Sequence, residues 1–209
     1  MNFERLVDRA LRIQRIPAPT FSEMARAELM LSEFVEAGLA DISRDATGNV
    51  YARVPGGSCP PVVVSAHLDT VFPAADAPPA RRVGDCLRGP GIGDNAISLA
   101  ALVELGFDYQ EDPPEGDVWL VADVSEEGLG NLAGMRQVVS RFGDGVGAYI
   151  VLEGMALGQV YHRALPIWRY RVSARTAGGH SWIHAGRPSA VHNLRRTPHQ
   201  RLGHGRAGS

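Results

Sequence analysis

An imidazole and a carboxylate stand two residues apart, directly after an apolar run of the chain. His67 and Asp69 follow residues 61–64, a proline and three valines that are typical of a buried parallel strand. In open α/β sheets, ligands gather at the carboxyl ends of the strands. A histidine there can give one ring nitrogen to a metal ion while a nearby aspartate orients the ring. This pair alone is equally consistent with a surface turn.

Acidic residues follow three further runs in the same way. Asp94 lies in the glycine-rich turn 89–95, Glu126 and Glu127 follow the strand-like run 118–122, and Glu153 follows the run 148–152. Each has an ordinary alternative, because aspartate caps helices and glutamate favours a first helical turn. Their recurrence at successive strand ends favours one shared site. One imidazole among several carboxylates suits zinc, cobalt or manganese better than a thiolate-bound structural zinc.

Five motifs, in this order, resemble the dinuclear zinc exopeptidases and amidohydrolases. That family includes acetylornithine deacetylase, succinyl-diaminopimelate desuccinylase, aminoacylase, glutamate carboxypeptidase and tripeptidase T. The motifs occupy residues 67–71, 91–95, 126–128, 153–154 and 178–181, and the last of them reads Gly-Gly-His-Ser. The resemblance implies a metal-dependent hydrolase of amide bonds in peptides or N-acyl amino acids. It also implies two zinc ions per active site, with cobalt or manganese as substitutes.

The resemblance assigns metal ligands by matching position. His67 and Glu153 would bind one ion, Glu127 would bind the other, and Asp94 would bridge the two. Two ions held in this way can acidify a water molecule and polarise an amide carbonyl.

The resemblance also assigns the catalytic residues. Asp69 would orient His67, and Glu126, next to a ligand, would act as the general base. His180 would stabilise the oxyanion from a lid domain.

The order of predicted elements places these residues in an α/β fold. Helix-like runs alternate with strands at 61–65, 118–122 and 148–152, and one such helix is predicted from about residue 129 to 141. This alternation predicts a helix-covered, mostly parallel sheet, as in a phosphorylase/hydrolase-like catalytic domain, over residues 1–164. Alternating apolar and polar residues at 167–173 predict a strand. They mark the start of a new domain near residue 165. Residues 165–194 resemble the beginning of the family's α+β lid, through which the resemblance implies a homodimer in an intact version.

Residues 195–209 have a composition foreign to the rest of the chain. They contain four arginines, two histidines and no acid, without apolar periodicity, and we expect them to be disordered. They are either a basic tail that binds an anion or an out-of-frame read. In either case the family's last ligand, a histidine near the C-terminus, has no counterpart, which indicates truncation and loss of activity. A non-catalytic metal-binding or dimerisation remnant and a metal phosphoesterase remain as alternatives.

Composition agrees with a soluble enzyme and adds little to the motifs. The chain has 209 residues, of which 44% are hydrophobic and 21% charged, and its net charge of −2 gives no reason to expect nucleic acid. The sequence contains no run of 18 apolar residues, the length that would indicate a membrane span. Its charged N-terminal segment is unlike a signal peptide. We therefore expect a cytoplasmic protein with no membrane partner.

Overall fold

The structure is a computed structural model in which the chain divides between Gln159 and Val160 into two compact units. It describes residues 2–73, 78–154, 158–167, 169 and 171–201, without the side chains of 196–201. Within these residues no helix is long and apolar enough to cross a membrane.

A five-stranded sheet forms the centre of the first unit. Its strands are β1 (Ala40–Arg44), β2 (Val50–Val54), β3 (Cys59–His67), β6 (Gly116–Asp123) and β7 (Ala148–Val151), in the order β1-β2-β6-β3-β7. Strand β3 pairs in parallel with β6 and β7, whereas β1 and β2 add an antiparallel edge. A separate hairpin joins β4 (Arg81–Val83) to β5 (Cys86–Arg88). The parallel centre brings the ends of β3, β6 and β7 to one edge.

Helices cover both faces of the sheet. The helices of the first unit are α1 (Phe3–Gln14), α2 (Met24–Glu36), α3 (Ile97–Glu111) and α4 (Ala133–Phe142). Side chains alternate along a strand, so Val64 and Leu120 join the main core with α1, α2 and α3. Val63 and Val121 instead pack with Val138 of α4. The predicted α/β class, with a helix-covered sheet, is confirmed.

Buried ion pairs connect the helices of the main core. Arg9 of α1 contacts Glu33 of α2 at 2.6 Å, and it also contacts Glu104 of α3. All three side chains are at most 2% exposed. Arg5 and Arg12 supply further positive charge to the same two carboxylates. Because an unpaired buried carboxylate is costly, this network fixes how the three helices pack.

The second unit differs from the sequence expectation in one element. Ile167, Arg169 and residues 171–173 are exposed and form no strand, while positions 168 and 170 lie outside the described residues. The strand prediction is therefore wrong for these residues, since the described apolar side chains among them, Ile167 and Val172, are exposed. Helix α5 (Ala190–Arg201) continues through the predicted boundary at 194/195, and residues 202–209 lie outside the described part. The domain boundaries stay a prediction.

Candidate metal centre

His67 ends strand β3 and lies at the centre of the site. Its side chain is 2% exposed, and its Nε2 atom lies 2.8 Å from Oδ1 of Asp94 and 3.9 Å from Oε2 of Glu153. Its Nδ1 atom lies 3.0 Å from the backbone oxygen of Asp69. The Nδ1 contact fixes the ring so that Nε2 points at the two carboxylates, as expected for a ligating histidine.

Asp69 ties three parts of the chain together behind that ring. Its fully buried carboxylate accepts hydrogen bonds from the backbone nitrogens of Glu126 at 2.9 Å and Glu127 at 3.0 Å. It also accepts one from the Thr20 hydroxyl at 2.9 Å. Burial alone would raise the pKa of Asp69, but His67 and these donors lower it below its ordinary value. Asp69 therefore positions the loop that carries both glutamates as well as the imidazole.

Three of the predicted ligands come together as a group that could hold a metal ion. One ligand atom each from His67, Asp94 and Glu127 lies within 4.8 Å of the others. One imidazole with carboxylates suits zinc, cobalt or manganese, so the residues present fit the implied ion. Burial raises the pKa of Glu127 and of Glu153, and the negative charges of Asp94 and Glu126 raise both further. A bound cation would relieve this repulsion.

The electrostatics of His67 reflect the same excess of negative charge. Burial alone would lower its pKa, but hydrogen bonds to Asp69 and Asp94 and the charge of Glu153 raise the pKa to about 11. The imidazole therefore faces an environment that strongly favours a positive charge.

The glycine-rich turn brings Asp94 close to the end of β7. The Asp94–Asn95 peptide bond is cis, and the Asn95 side chain donates to the Leu152 carbonyl at 2.9 Å. A Cβ added at Gly154 would overlap the carbonyl oxygen of Gly93. Only glycine fits at that position, and this close approach places Glu153 beside the turn that carries Asp94.

Sequence reasoning missed two residues at the start of α2 that support the site. Glu23 is buried, and its Oε1 accepts from the backbone nitrogens of Ser125 at 3.1 Å and Phe21 at 3.0 Å. Buried Arg26 donates to the carbonyls of Leu68 and Ile16, each at 2.7 Å. Desolvation lowers the pKa of Arg26 to about 10, against the raising effect of Asp69. No spacing signal in the sequence links these residues to the strand ends.

Asp123 and Asn49 were also missed. Asp123 lies opposite His67 in the parallel register of β6 and β3. Burial raises the pKa of Asp123 to about 7 against the lowering effect of His67, and neighbouring carboxylates add to the rise. The Asn49 side chain accepts from the Val124 nitrogen and donates to the Gly134 carbonyl, each at 3.0 Å, which braces both ends of the glutamate loop. Asp123 could have been identified from the sequence, because it follows the same strand-like run as Glu126 and Glu127.

His180 lies in the second unit, before a turn at 181–186. Its Nδ1 atom accepts from the backbone nitrogens of Trp182 at 3.3 Å and Ile183 at 3.5 Å. A neutral imidazole that accepts at Nδ1 carries its proton on Nε2 and can donate from there. Its predicted role at the oxyanion stays a prediction, as does the division of ligands between two ions.

The sheet and this group of side chains define an α/β fold with a candidate metal site at the ends of its parallel strands. The family model described as peptidase family M28 matches residues 49–193. The chain belongs to peptidase family M28, which confirms the class inferred from the motifs.

The similarity to a curated relative covers only part of each protein. A probable carboxypeptidase of Ajellomyces dermatitidis is 32% identical over 93 residues, which are 42% of this chain and 21% of the relative. The chain thus spans about a fifth of this curated relative.

Solved structures share the fold. A Staphylococcus aureus tripeptidase is 24% identical with a TM-score of 0.63, over 75% of this chain and 44% of its own. A dinuclear metal-binding peptidase of the M20 family from Bacillus subtilis is 18% identical with a TM-score of 0.51, over 71% of this chain and 42% of its own.

Proposed function

We propose that this chain carries the catalytic site of a zinc-dependent peptidase or deacylase, which hydrolyses amide bonds in peptides or N-acyl amino acids. The observation that carries the proposal is the group formed by His67, Asp94 and Glu127, with Glu126 adjacent to one ligand and outside the group. The family and the names of the relatives support peptide hydrolysis.

Each residue has a distinct task in the proposed reaction. His67, Asp94, Glu127 and Glu153 would hold zinc, which, when bound, would polarise the amide carbonyl and acidify the attacking water. Glu126 takes the proton from that water and passes it to the leaving amine.

Two further residues complete the proposal, Asp69 as a positioning residue and His180 as a hydrogen-bond donor. Asp69 holds the backbone of Glu126 and Glu127, so that proton transfer and metal binding occur at a fixed separation. His180 donates a hydrogen bond to the developing oxyanion.

Partner and location belong to the same proposal. We propose a homodimer formed through the lid in an intact protein, and a cytoplasmic location. Both rest on the motif resemblance and on the composition of the chain. Sedimentation analysis tests the first and fractionation of cells that express the natural protein tests the second.

Two isosteric substitutions distinguish the proposed general base, Glu126, from the proposed metal ligand, Glu127. In an intact version of the protein, Glu126→Gln should keep the zinc content and lower turnover by about a hundredfold or more, because only the base is lost. Glu127→Gln should lower the zinc content itself. Glu28→Gln, at an exposed glutamate paired with Arg44, is the matched control and should change neither quantity.

The same measurements distinguish the alternatives. Equal loss of zinc in Glu126→Gln and Glu127→Gln would show that the two roles are wrongly assigned. Zinc binding without turnover by an intact version of the protein would favour a non-catalytic metal-binding protein. Hydrolysis of a generic phosphoester in preference to dipeptides and N-acyl amino acids would favour a phosphoesterase.

A further inference from the structure

Three successive backbone N–H groups donate to two buried carboxylates in the loop that carries the proposed base. The N–H groups of Glu126 and Glu127 donate to Asp69 at 2.9 and 3.0 Å. The N–H group of Ser125 donates to Glu23 at 3.1 Å, and Glu23 is only 6% exposed. Ser125 has a φ of 57°, and a left-handed residue turns successive N–H groups towards an anion. Two different parts of the chain therefore hold this loop.

Glu23 directs its side chain at this loop rather than at its own helix. It is the N-cap residue of α2, yet its side chain makes no capping hydrogen bond. Its Oε1 atom instead accepts from the backbone nitrogen and the hydroxyl of Ser125, at 3.1 and 3.3 Å, and from the Phe21 nitrogen at 3.0 Å. No arginine or histidine in the described residues forms an ion pair with Glu23. The contacts of this buried carboxylate therefore hold Ser125 in place.

Ser125 determines how the chain enters Glu126. A left-handed φ is uncommon for serine and persists where the surrounding structure imposes it, and the hydrogen bond to Glu23 is such a constraint. Because Ser125 directly precedes Glu126, a change in its backbone would turn the side chain of the proposed base. Glu127 lies one residue further on and keeps its own hydrogen bond to Asp69. Loss of the Glu23 contact should therefore displace the base more than the metal ligand.

We propose that Glu23 is a positioning residue for Glu126, and that it acts through the backbone of Ser125. This inference rests on the proposed peptidase function and adds a residue to the same site. A displacement of about 1 Å of a reacting group can lower a rate by about a hundredfold. Because the base acts in the transition state, kcat and kcat/KM should fall equally while KM stays unchanged.

Two substitutions at position 23 separate the position of the carboxylate from its charge. In an intact version of the protein, Glu23→Asp keeps the charge but shortens the side chain by one methylene group. Its kcat per bound zinc should fall by about 10- to 100-fold with KM unchanged. Glu23→Gln keeps the length and an acceptor oxygen, so its kcat should stay within about threefold of the unsubstituted value. Glu28→Asp, at an exposed glutamate of α2, is the matched control and should change neither kcat nor KM.

Two further measurements exclude a merely structural role. Elemental analysis should show that both Glu23 variants keep their zinc, because Asp69 still holds Glu127. Ser125→Thr leaves Glu23 in place and keeps the hydroxyl, but a β-branched residue disfavours the left-handed φ. This variant should also lower kcat per bound zinc, and it decides the matter if Glu23→Asp does not fold.

Each outcome bears on either the inference or the proposed function. Unchanged kcat in Glu23→Asp or in Ser125→Thr would overturn the inference. A loss in Glu23→Gln as large as that in Glu23→Asp would overturn it too, because charge rather than position would then matter. A fall in zinc content that matches the fall in turnover would show a merely structural role. Absence of turnover in the unsubstituted intact protein would contradict the proposed function and, with it, this inference.

Discussion

Replacement of Asp69 by asparagine should weaken both the fold and the metal site. The buried carboxylate accepts from Glu126, Glu127 and Thr20 at 2.9 to 3.0 Å. An amide keeps one acceptor oxygen, and the Thr20 hydroxyl can rotate to accept from its NH2 group. The backbone N–H of Glu126 or of Glu127 then faces the NH2 group of the asparagine, which cannot accept its hydrogen bond. The hydrogen bond to the remaining oxygen is weaker because that oxygen is no longer charged. An unsatisfied buried N–H costs about 1 to 3 kcal/mol, so we expect the free energy of unfolding to fall by about 2 to 4 kcal/mol in total.

The assay for this variant measures stability and zinc affinity together. Urea unfolding gives the free energy of unfolding, and competition with a chromophoric chelator gives the zinc affinity, which should fall by about 10- to 100-fold. Asp41→Asn is the control: Asp41 is exposed, forms a surface pair with Arg53, and has a φ of 48° that asparagine tolerates. That control should cost less than about 1 kcal/mol. An Asp69→Asn loss below about 0.5 kcal/mol with unchanged zinc affinity would refute the role given to this carboxylate.

Three further perturbations test other parts of the structure. Gly154→Ala should reduce zinc binding and stability because its Cβ would overlap the Gly93 carbonyl, whereas Gly93→Ala, with open space around it, should be tolerated when both are compared by elemental analysis and thermal unfolding. Arg9→Met should cost about 3 to 5 kcal/mol in urea unfolding, because it leaves two buried glutamates short of a partner; a cost below 1 kcal/mol would contradict the network. Burial and the hydrogen bond to Asp45 raise the pKa of Tyr51, so the unfolded phenol loses its proton first and stability should fall as the pH rises above about 10. Tyr51→Phe should flatten that fall, and an unchanged alkaline profile would contradict the assignment.

The sequence predicts the sheet and the strand-end residues because both depend on short-range patterns. Apolar runs define β3, β6 and β7, and parallel pairing then brings His67 and the acidic residues after the other strands to one edge. The supporting contacts of Glu23 and Asn49 join residues 75 to 102 positions apart. No local periodicity encodes such contacts, so they appear only in the folded chain.

Helix boundaries and isolated strands were less predictable for a related reason. The helix expected from about residue 129 begins at Ala133, because Asn131 and Leu132 adopt left-handed backbone conformations. Such conformations are uncommon for leucine and follow from the surrounding structure. Alternation at 167–173 likewise predicts a strand only where one face is buried, and its described residues are exposed.

A zinc position determined by anomalous X-ray scattering tests the central claim most directly. Crystals of the chain soaked with zinc should show, in data collected at the zinc absorption edge, a peak about 2.0 to 2.1 Å from Nε2 of His67. Carboxylate oxygens of Asp94 and of Glu127 or Glu153 should complete the coordination at about 2.0 to 2.2 Å. Crystals of His67→Ala should lack this peak. Zinc bound elsewhere on the chain, with no peak within about 4 Å of the His67 ring, would contradict the metal centre.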